Sequence, residues 1–167
     1  MFTGPPGIGK THLAKAIANE SDINLFYKSA SEFEGFFVGS GAKKIREFFD
    51  SVRNELPAIV FIDEIDALGV KRKDSNSSIK RFIYIFKLIY RQSLNQFLVE
   101  LDGIKKDKKF NKMLIIAATN LEDQLDPAMT RAGRFDKIIR MSSPDIDSRR
   151  KLVQYYLKKV EKIFIIY

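Results

Sequence analysis

Residues 4–11 of the chain read GPPGIGKT, and this run leaves little freedom in how the surrounding chain can fold. The pattern G-x-x-x-x-G-K-[ST] forms a loop in which Gly4, Gly7 and Gly9 let backbone N–H groups turn inward around phosphate oxygens. The helix after such a loop points its positive amino-terminal end at the same anions. A buried strand should precede the loop, and residues 1–2 are what the chain offers for it.

The side chains of the loop predict a nucleotide and a metal ion as its ligands. Lys10 would reach the β- and γ-phosphates, and the Thr11 hydroxyl would ligate Mg²⁺. An ordinary Gly/Pro turn with a nearby lysine is the weaker alternative, because the pattern is complete. The residues predicted to bind the nucleotide are Gly4, Pro5, Pro6, Gly7, Ile8, Gly9, Lys10, Thr11, His12 and Asp63.

The composition fits one α/β domain and argues against several other classes. A chain of 167 residues is long enough for a real core. It has no cysteine and one histidine, His12, which excludes a disulfide framework and a Cys-type zinc site. The net charge of +8 lies largely in lysine-rich stretches, so we expect solvated loops and no nucleic-acid partner. The longest apolar stretch, residues 82–90, is too short to cross a bilayer.

Apolar runs alternate with segments of helical periodicity along the chain. Two of the runs are apolar throughout, as strands buried on both faces of a sheet require. Strands are expected at residues 25–28, 58–62, 113–118 and 137–141, and helices at residues 11–19, 42–54, 93–101 and 148–160. This alternation predicts a parallel sheet with helices on both faces.

Residues 59–64 read IVFIDE, an apolar run that ends in two acids. Such a run fits the carboxyl end of a central strand, where ligands bind in open α/β sheets. Asp63 would hold Mg²⁺, directly or through water, and Glu64 would polarise the water that attacks the γ-phosphate. An acidic helix cap is the alternative, and the phosphate loop in the same chain weighs against it.

Two further motifs carry polar groups suited to phosphate chemistry. Residues 113–120 read MLIIAATN, and Asn120 could contact the attacking water or the γ-phosphate if this strand lies beside residues 59–63. An asparagine in a turn is the alternative. Arg131 and Arg134 occur in TRAGRFD, where they are either partners for a phosphate in the transition state or surface residues.

A loop with two aromatic residues offers a third functional feature. Residues 36–39 read FFVG, which is compatible with ordinary core packing. The alternative is a mobile loop in which Phe37, Val38 and Gly39 grip a polypeptide.

Taken together, these motifs resemble those of the AAA+ ATPases, in the order of that family and at compatible spacings. The segments FVGSGAKKIREFF and RQSLNQFLVELDG are most similar to the FtsH-type, membrane-anchored AAA proteases. The resemblance implies an α/β P-loop NTPase fold: an AAA+ large subdomain with a parallel five-stranded sheet flanked by helices, its first strand truncated and its helical lid absent. It also implies a parent protein of the mitochondrial inner membrane, a plastid or a bacterial inner membrane.

The resemblance also implies the ligands, the partners and the roles of single residues. ATP and Mg²⁺ are the implied ligands, and identical or homologous subunits would form a hexameric ring that acts on unfolded proteins. Phe37 corresponds to the pore-loop residue that pulls substrate through the ring, and Asn120 to sensor 1. Arg131 and Arg134 correspond to arginine fingers that act on the adjacent subunit. Nucleic acid is not an implied partner, and membrane contact would come only through parts outside this chain.

Several departures from the family pattern lead to further expectations. The AAA+ core is expected at residues 1–160, incomplete at both ends, with an atypical insertion at residues 71–91 and a foreign-looking tail at residues 161–167. We hypothesise that one or both of these stretches are translated non-coding sequence, and a genuine insertion is the alternative. With a truncated first strand and no lid, weak ATP affinity and no stable hexamer are expected.

Two other functional interpretations stay open. One is a protein-remodelling AAA ATPase without a protease, and the other is a non-functional fragment that binds nucleotide weakly. Zn²⁺ would belong only to a protease domain, because the His-Glu-x-x-His motif does not occur in this sequence.

Overall fold

One parallel sheet flanked by helices organises the chain. The computed structural model describes residues 1–35, 37–69, 80–106 and 112–164. The strands are β1 (Phe2–Thr3), β2 (Asn24–Ser29), β3 (Ala58–Asp63), β4 (Met113–Thr119) and β5 (Ile139–Arg140). The helices are α1 (Lys10–Ser21), α2 (Ser40–Arg53), α3 (Asp66–Gly69), α4 (Lys80–Lys106) and α5 (Ile146–Phe164). The five strands follow the order β2-β3-β4-β1-β5 and every pair is parallel, which confirms the predicted fold class.

The continuous apolar run of β3 is buried on both faces of the sheet, as its sequence predicts. Val60 and Ile62 belong to the larger core, which β3 shares with α2 and α4. Ile59 and Phe61 belong to the smaller core on the opposite face, which is covered by α1. The helix residues that fill these two cores include Ile45, Phe49, Val52, Phe97 and Leu101 on one face and Ala14 and Ala18 on the other.

The strand registers bring the ends of four strands to one edge of the sheet, here called the carboxyl edge. Ser29 at the end of β2 is opposite Asp63 at the end of β3. Thr3 at the end of β1 is opposite Thr119 at the end of β4. The phosphate loop therefore begins at the same edge at which the predicted acids and Asn120 follow their strands.

Two elements differ in extent from the sequence prediction. The prediction placed the start of α4 near residue 93, but the helix begins at Lys80 and includes the last part of the predicted insertion. Ile89 is buried there, and the Tyr90 hydroxyl donates to the Asp66 carbonyl at 2.9 Å. β5 is only two residues long, because its ladder partner β1 offers only Phe2 and Thr3 for pairing.

The two unusual stretches of the sequence are only partly visible. Residues 71–79 of the predicted insertion and residues 165–167 of the predicted tail lie outside the described residues. The closing helix α5 exposes the side chains of residues 146–158. Within the described ranges, no helix combines the length and the apolar character that crossing a membrane requires.

Candidate active site

The backbone of the phosphate loop adopts conformations that favour glycine. Gly4, Gly7 and Gly9 have φ angles of 140°, 77° and 95°, a region that side chains with a Cβ rarely enter. A Cβ on Gly4 would also lie 2.2 Å from the Met141 carbonyl oxygen. Gly9 is the amino-terminal cap of α1, so the loop leads directly into the positive end of this helix.

The Lys10 ammonium lies inside the loop and joins it to β4. Its Nζ donates to the carbonyl oxygens of Gly4 and Pro5, each at 2.8 Å, and to Asn120 Oδ1 at 2.5 Å. The residue is 7% exposed, and burial lowers its pKa while the nearby Asp63 and Asp66 oppose the shift. The three donors of the ammonium thus join two carbonyls of the loop to Asn120, the residue after β4.

Thr11 and Asp63 form the predicted metal-binding pair. The Thr11 hydroxyl donates to Asp63 Oδ2 at 2.7 Å, which joins α1 to the end of β3. A hydroxyl and a carboxylate are hard oxygen ligands, and Mg²⁺ is commonly held by one or two carboxylates together with substrate phosphates. The donor set therefore fits Mg²⁺.

Glu64 lies beyond the end of β3 with its side chain exposed. Its φ of 52° is unusual for a residue with a side chain and costs about 1–3 kcal/mol. The Asp63 carboxylate accepts the Glu64 N–H at 3.0 Å, and the Ser29 hydroxyl donates to Glu64 Oε2 at 3.2 Å. The contact with Ser29, the last residue of β2, holds the Glu64 carboxylate at the carboxyl edge.

Three polar residues of this site were missed by the sequence interpretation. Ser29 contacts Glu64 from the neighbouring strand, and its position at the end of β2 was the signal that could have identified it. Thr119 donates to Asp66 Oδ1 at 2.6 Å and accepts the Leu121 N–H at 2.9 Å. This pair fixes the end of β4, immediately before Asn120, against the start of α3.

The remaining predicted nucleotide-binding residues lie around the loop. Pro5 and Pro6 are exposed on its outer side, and Ile8 is half-buried. His12 is exposed in the first turn of α1. Within the described residues, no group of three or more His, Cys, Asp or Glu side chains could hold a metal ion.

The two predicted arginine fingers do not join this cluster. Arg134 lines a cavity together with Met1, which directly precedes β1, and Met113, the first residue of β4. It therefore lies at the opposite, amino edge of the sheet. Its Nε and one terminal nitrogen donate to the two Asp102 carboxylate oxygens at 2.9 and 2.8 Å. These hydrogen bonds raise the pKa of Arg134. Arg131 is exposed and, in the described part of the chain, forms no ion pair.

The predicted polypeptide-gripping loop is exposed. Phe37 is 79% exposed and Val38 is 57% exposed, so core packing does not describe Phe37. Gly39 has a φ of 83° and caps α2, whose first residue, Ser40, donates its backbone N–H and its hydroxyl to the Phe37 carbonyl. Phe36 lies outside the described residues.

An ion pair beside the phosphate loop predicts a pH effect on stability. The Glu122 carboxylate accepts hydrogen bonds from the Arg140 guanidinium and from Thr3 Oγ1, the latter at 2.7 Å. The bond from Arg140 has the largest effect, and together these bonds lower the pKa of Glu122 from its ordinary value of 4.5. A carboxyl group whose pKa is lowered by folding stabilises the folded protein at pH values above its unfolded-state pKa. This contribution is lost as the pH falls through the folded-state pKa.

We therefore expect Glu122→Gln to reduce the free energy of unfolding by a constant amount near neutral pH. The difference between wild type and variant should shrink below about pH 4.5. Urea unfolding of both proteins from pH 7 to pH 3 measures this. If the difference in the free energy of unfolding stays constant down to pH 3, the carboxylate charge of Glu122 does not stabilise the folded protein.

Comparison with known proteins gives both a family and individual relatives. A family model described as "ATPase family associated with various cellular activities (AAA)" matches residues 1–143. Mitochondrial inner membrane i-AAA protease supercomplex subunit YME1 of Saccharomyces cerevisiae is 43% identical over 96% of this chain. ATP-dependent zinc metalloprotease FTSH 11, chloroplastic/mitochondrial, of Arabidopsis thaliana is 44% identical over 95% of it. Proteasome-activating nucleotidase of Sulfurisphaera tokodaii is 46% identical over 96% of it.

The chain is short relative to all three relatives. It spans 20%, 18% and 38% of their respective lengths. The resemblance to FtsH-type proteins is confirmed, and proteasome-activating nucleotidases match at similar identity. Since the family model covers the phosphate loop, the two acids at the end of β3, Asn120 and both arginines, the chain belongs to the AAA family of ATPases.

Proposed function

We propose that this chain binds ATP with Mg²⁺ and hydrolyses it as the motor unit of a hexameric ring that unfolds and threads proteins. The observation that carries the proposal is a convergence of side chains at the carboxyl edge. Two hydrogen bonds, from Lys10 to Asn120 and from Thr11 to Asp63, join the helix after the phosphate loop to β4 and β3. Phosphoryl transfer depends mainly on such positioning and on charge neutralisation.

Binding would begin with an exchange of partners at Lys10. Its ammonium leaves the Gly4 and Pro5 carbonyls for the β- and γ-phosphate oxygens, while backbone N–H groups of the loop surround the phosphates. Thr11 and Asp63 would hold Mg²⁺, which when bound would neutralise the charge that develops on the phosphates. The hydrogen bond from the Thr11 hydroxyl to the Asp63 carboxylate supports this role.

Hydrolysis would then depend on Glu64 and Asn120. Glu64 accepts a proton from the attacking water, and Ser29 holds its carboxylate by a hydrogen bond at 3.2 Å. Asn120 orients the water or a γ-phosphate oxygen through its amide once Lys10 has moved to the phosphates. These roles require the three side chains to face one edge of the sheet, which is where β2, β3 and β4 end.

The arginines support a ring in which neighbouring subunits share each site. Arg134 lies at the amino edge of the sheet, away from the Lys10 and Asp63 cluster of its own chain. Arg131, which lies shortly before Arg134 in the same segment of the chain, is exposed. A guanidinium in this region can therefore reach a γ-phosphate only on another subunit, as arginine fingers do.

The exposed loop of Phe37, Val38 and Gly39 is the proposed contact with protein substrates. In a ring assembled from the complete protein, we expect Phe37→Ala to abolish ATP-dependent unfolding of a tagged fluorescent protein. Basal ATP turnover should stay within about two-fold, because the side chain is 79% exposed and lies outside the nucleotide cluster. Fluorescence loss and phosphate release, measured in parallel, test this.

Two control variants sharpen that experiment. Phe37→Tyr keeps the aromatic ring and should retain unfolding. Val99→Ala removes another exposed apolar side chain, on α4, and should change neither activity. Unfolding that persists in Phe37→Ala would argue against a substrate-gripping loop.

The complete reading frame of the transcript would decide between two forms of the proposal. Zinc metalloproteases among the relatives favour an attached protease and a location in an organelle or at a bacterial inner membrane. The nucleotidases favour a remodelling ATPase that has no protease of its own. Sequencing the complete transcript tests this, since a His-Glu-x-x-His motif downstream supports the protease and a complete reading frame without one supports the remodeller.

A further inference from the structure

A row of polar side chains crosses the carboxyl edge of the sheet beside the phosphate loop. Thr119, Thr3 and Arg140 are the last residues of β4, β1 and β5, and the parallel registers place them opposite one another. Thr119 donates to Asp66, whereas Thr3 and Arg140 both donate to Glu122. The proposed steps of ATP hydrolysis give none of these side chains a role.

Glu122 joins the residue before the phosphate loop to the end of β5. Its Oε2 accepts from the Thr3 hydroxyl at 2.7 Å and from Arg140 Nε at 3.1 Å, and its Oε1 accepts from a terminal nitrogen of the same guanidinium. Thr3 is 2% exposed, so Glu122 supplies the acceptor that a buried hydroxyl needs. Two parallel bonds from one guanidinium also fix the direction of the carboxylate.

These contacts fix the chain on both sides of Asn120. Thr119, immediately before it, is bonded to the start of α3 and accepts the Leu121 N–H at 2.9 Å. Glu122 lies two residues after Asn120 and is bonded to the ends of β1 and β5. The exposed Asn120 side chain is therefore carried by a short turn that is anchored at both ends.

The proposed binding of ATP removes one contact of Asn120 and leaves this anchoring in place. When the Lys10 ammonium moves to the phosphates, it gives up its hydrogen bond with Asn120 Oδ1 at the stage when the amide has to orient the water. The bond between Thr3 and Glu122 does not involve Lys10 and can persist. Because Thr3 directly precedes Gly4, this bond ties the turn that carries Asn120 to the root of the phosphate loop.

We propose that Glu122 is a positioning residue for Asn120 during ATP hydrolysis. With Thr3 and Arg140 as its partners, it holds the turn after β4 against the root of the phosphate loop while Lys10 binds the phosphates. The inference rests on the proposed function, because Glu122 touches no nucleotide and acts only through Asn120. A misplacement of about 1 Å at a reacting centre can cost a factor of about 10² in rate, so the effect belongs in kcat and hardly in KM.

A double-mutant cycle tests this role in a ring assembled from the complete protein. Glu122→Ala should lower kcat by about 10-fold to 100-fold and change the KM for ATP by less than about three-fold. In an Asn120→Ala background, Glu122→Ala should change kcat by less than about three-fold, because no amide is left to position. A merely structural role would lower kcat by the same factor in both backgrounds.

Three further variants support the cycle. Glu122→Gln keeps an oxygen that can accept from Thr3, so it should retain more activity than Glu122→Ala. Thr3→Val removes the hydroxyl donor and should reproduce part of the loss, and it takes the place of Glu122→Ala in the cycle if the Tm shows that Glu122→Ala is unfolded. Asp147→Asn breaks an exposed ion pair with Arg150 on α5 and should leave kcat unchanged.

The outcomes separate this inference from the proposed function. A wild-type ring that hydrolyses ATP, together with equal losses of kcat in the two backgrounds or no loss in either, would overturn the positioning role and leave the ATPase proposal intact. A wild-type ring without ATP turnover would contradict the ATPase proposal itself, and the positioning role would fall with it.

Discussion

Replacing Glu64 with glutamine is expected to lower the kcat of ATP hydrolysis by a factor of about 10²–10⁴ while ATP binding persists. Glutamine keeps the size of the side chain and can accept the Ser29 hydrogen bond, but it cannot take a proton from the attacking water. Phosphate release at saturating ATP measures kcat, and titration with a fluorescent ATP analogue measures binding.

A matched control for this variant is Glu55→Gln. Glu55 is exposed and follows α2 away from the carboxyl edge, so its replacement should leave kcat unchanged. Turnover that survives Glu64→Gln would assign the proton acceptor to another residue. Loss of ATP binding in Glu64→Gln would show that the variant disturbs the turn after β3. The positive φ angle at residue 64 in this turn depends on the surrounding contacts.

If Arg131 is an arginine finger, removal of its guanidinium lowers kcat by about 10³–10⁵ in a ring assembled from the complete protein. Arg131→Ala should leave the Tm nearly unchanged, because the side chain is exposed. Arg134→Ala should lower the Tm as well as the activity, since it breaks two hydrogen bonds to Asp102 and one to the Ala128 carbonyl. Parallel measurements of kcat and Tm distinguish the two arginines.

Mixing two inactive variants tests whether the guanidinium acts between subunits. A ring that contains both Glu64→Gln and Arg131→Ala chains has interfaces at which an intact Glu64 meets an intact Arg131. Activity should therefore reappear on mixing. If mixed rings form, as light scattering can show, and activity stays at the level of the separate variants, the guanidinium does not act across the interface.

The sequence predicted the elements whose patterns are local. The loop from Gly4 to Thr11 has a fixed spacing, and the apolar run of β3 is long enough to identify a strand buried on both faces. The placement of Asn120 at the same edge as Asp63 followed from a single further step, because parallel strands end at the same edge.

The contacts that the sequence did not predict join residues far apart in the chain. The ion pair of Arg134 with Asp102 spans 32 positions, and nothing in the local pattern TRAGRFD indicates it. The early start of α4 was missed because an unusual composition was interpreted as an interruption, although residues 80–102 contain neither glycine nor proline to end a helix. The strand β5 is short because its partner β1 is short. Its length therefore depends on pairing within the sheet and not on the local sequence of β5.

Nucleotide binding by the Glu64→Gln chain is the most direct test of the central claim that Lys10, Thr11 and Asp63 form an ATP–Mg²⁺ site. Titration calorimetry with ATP up to millimolar concentrations, with Mg²⁺ or with EDTA, makes the measurement without turnover. We predict saturable binding that Mg²⁺ strengthens and that Lys10→Ala abolishes. Binding that is unaffected by Lys10→Ala, or no binding with Mg²⁺ present to a chain that unfolds cooperatively, would contradict the account.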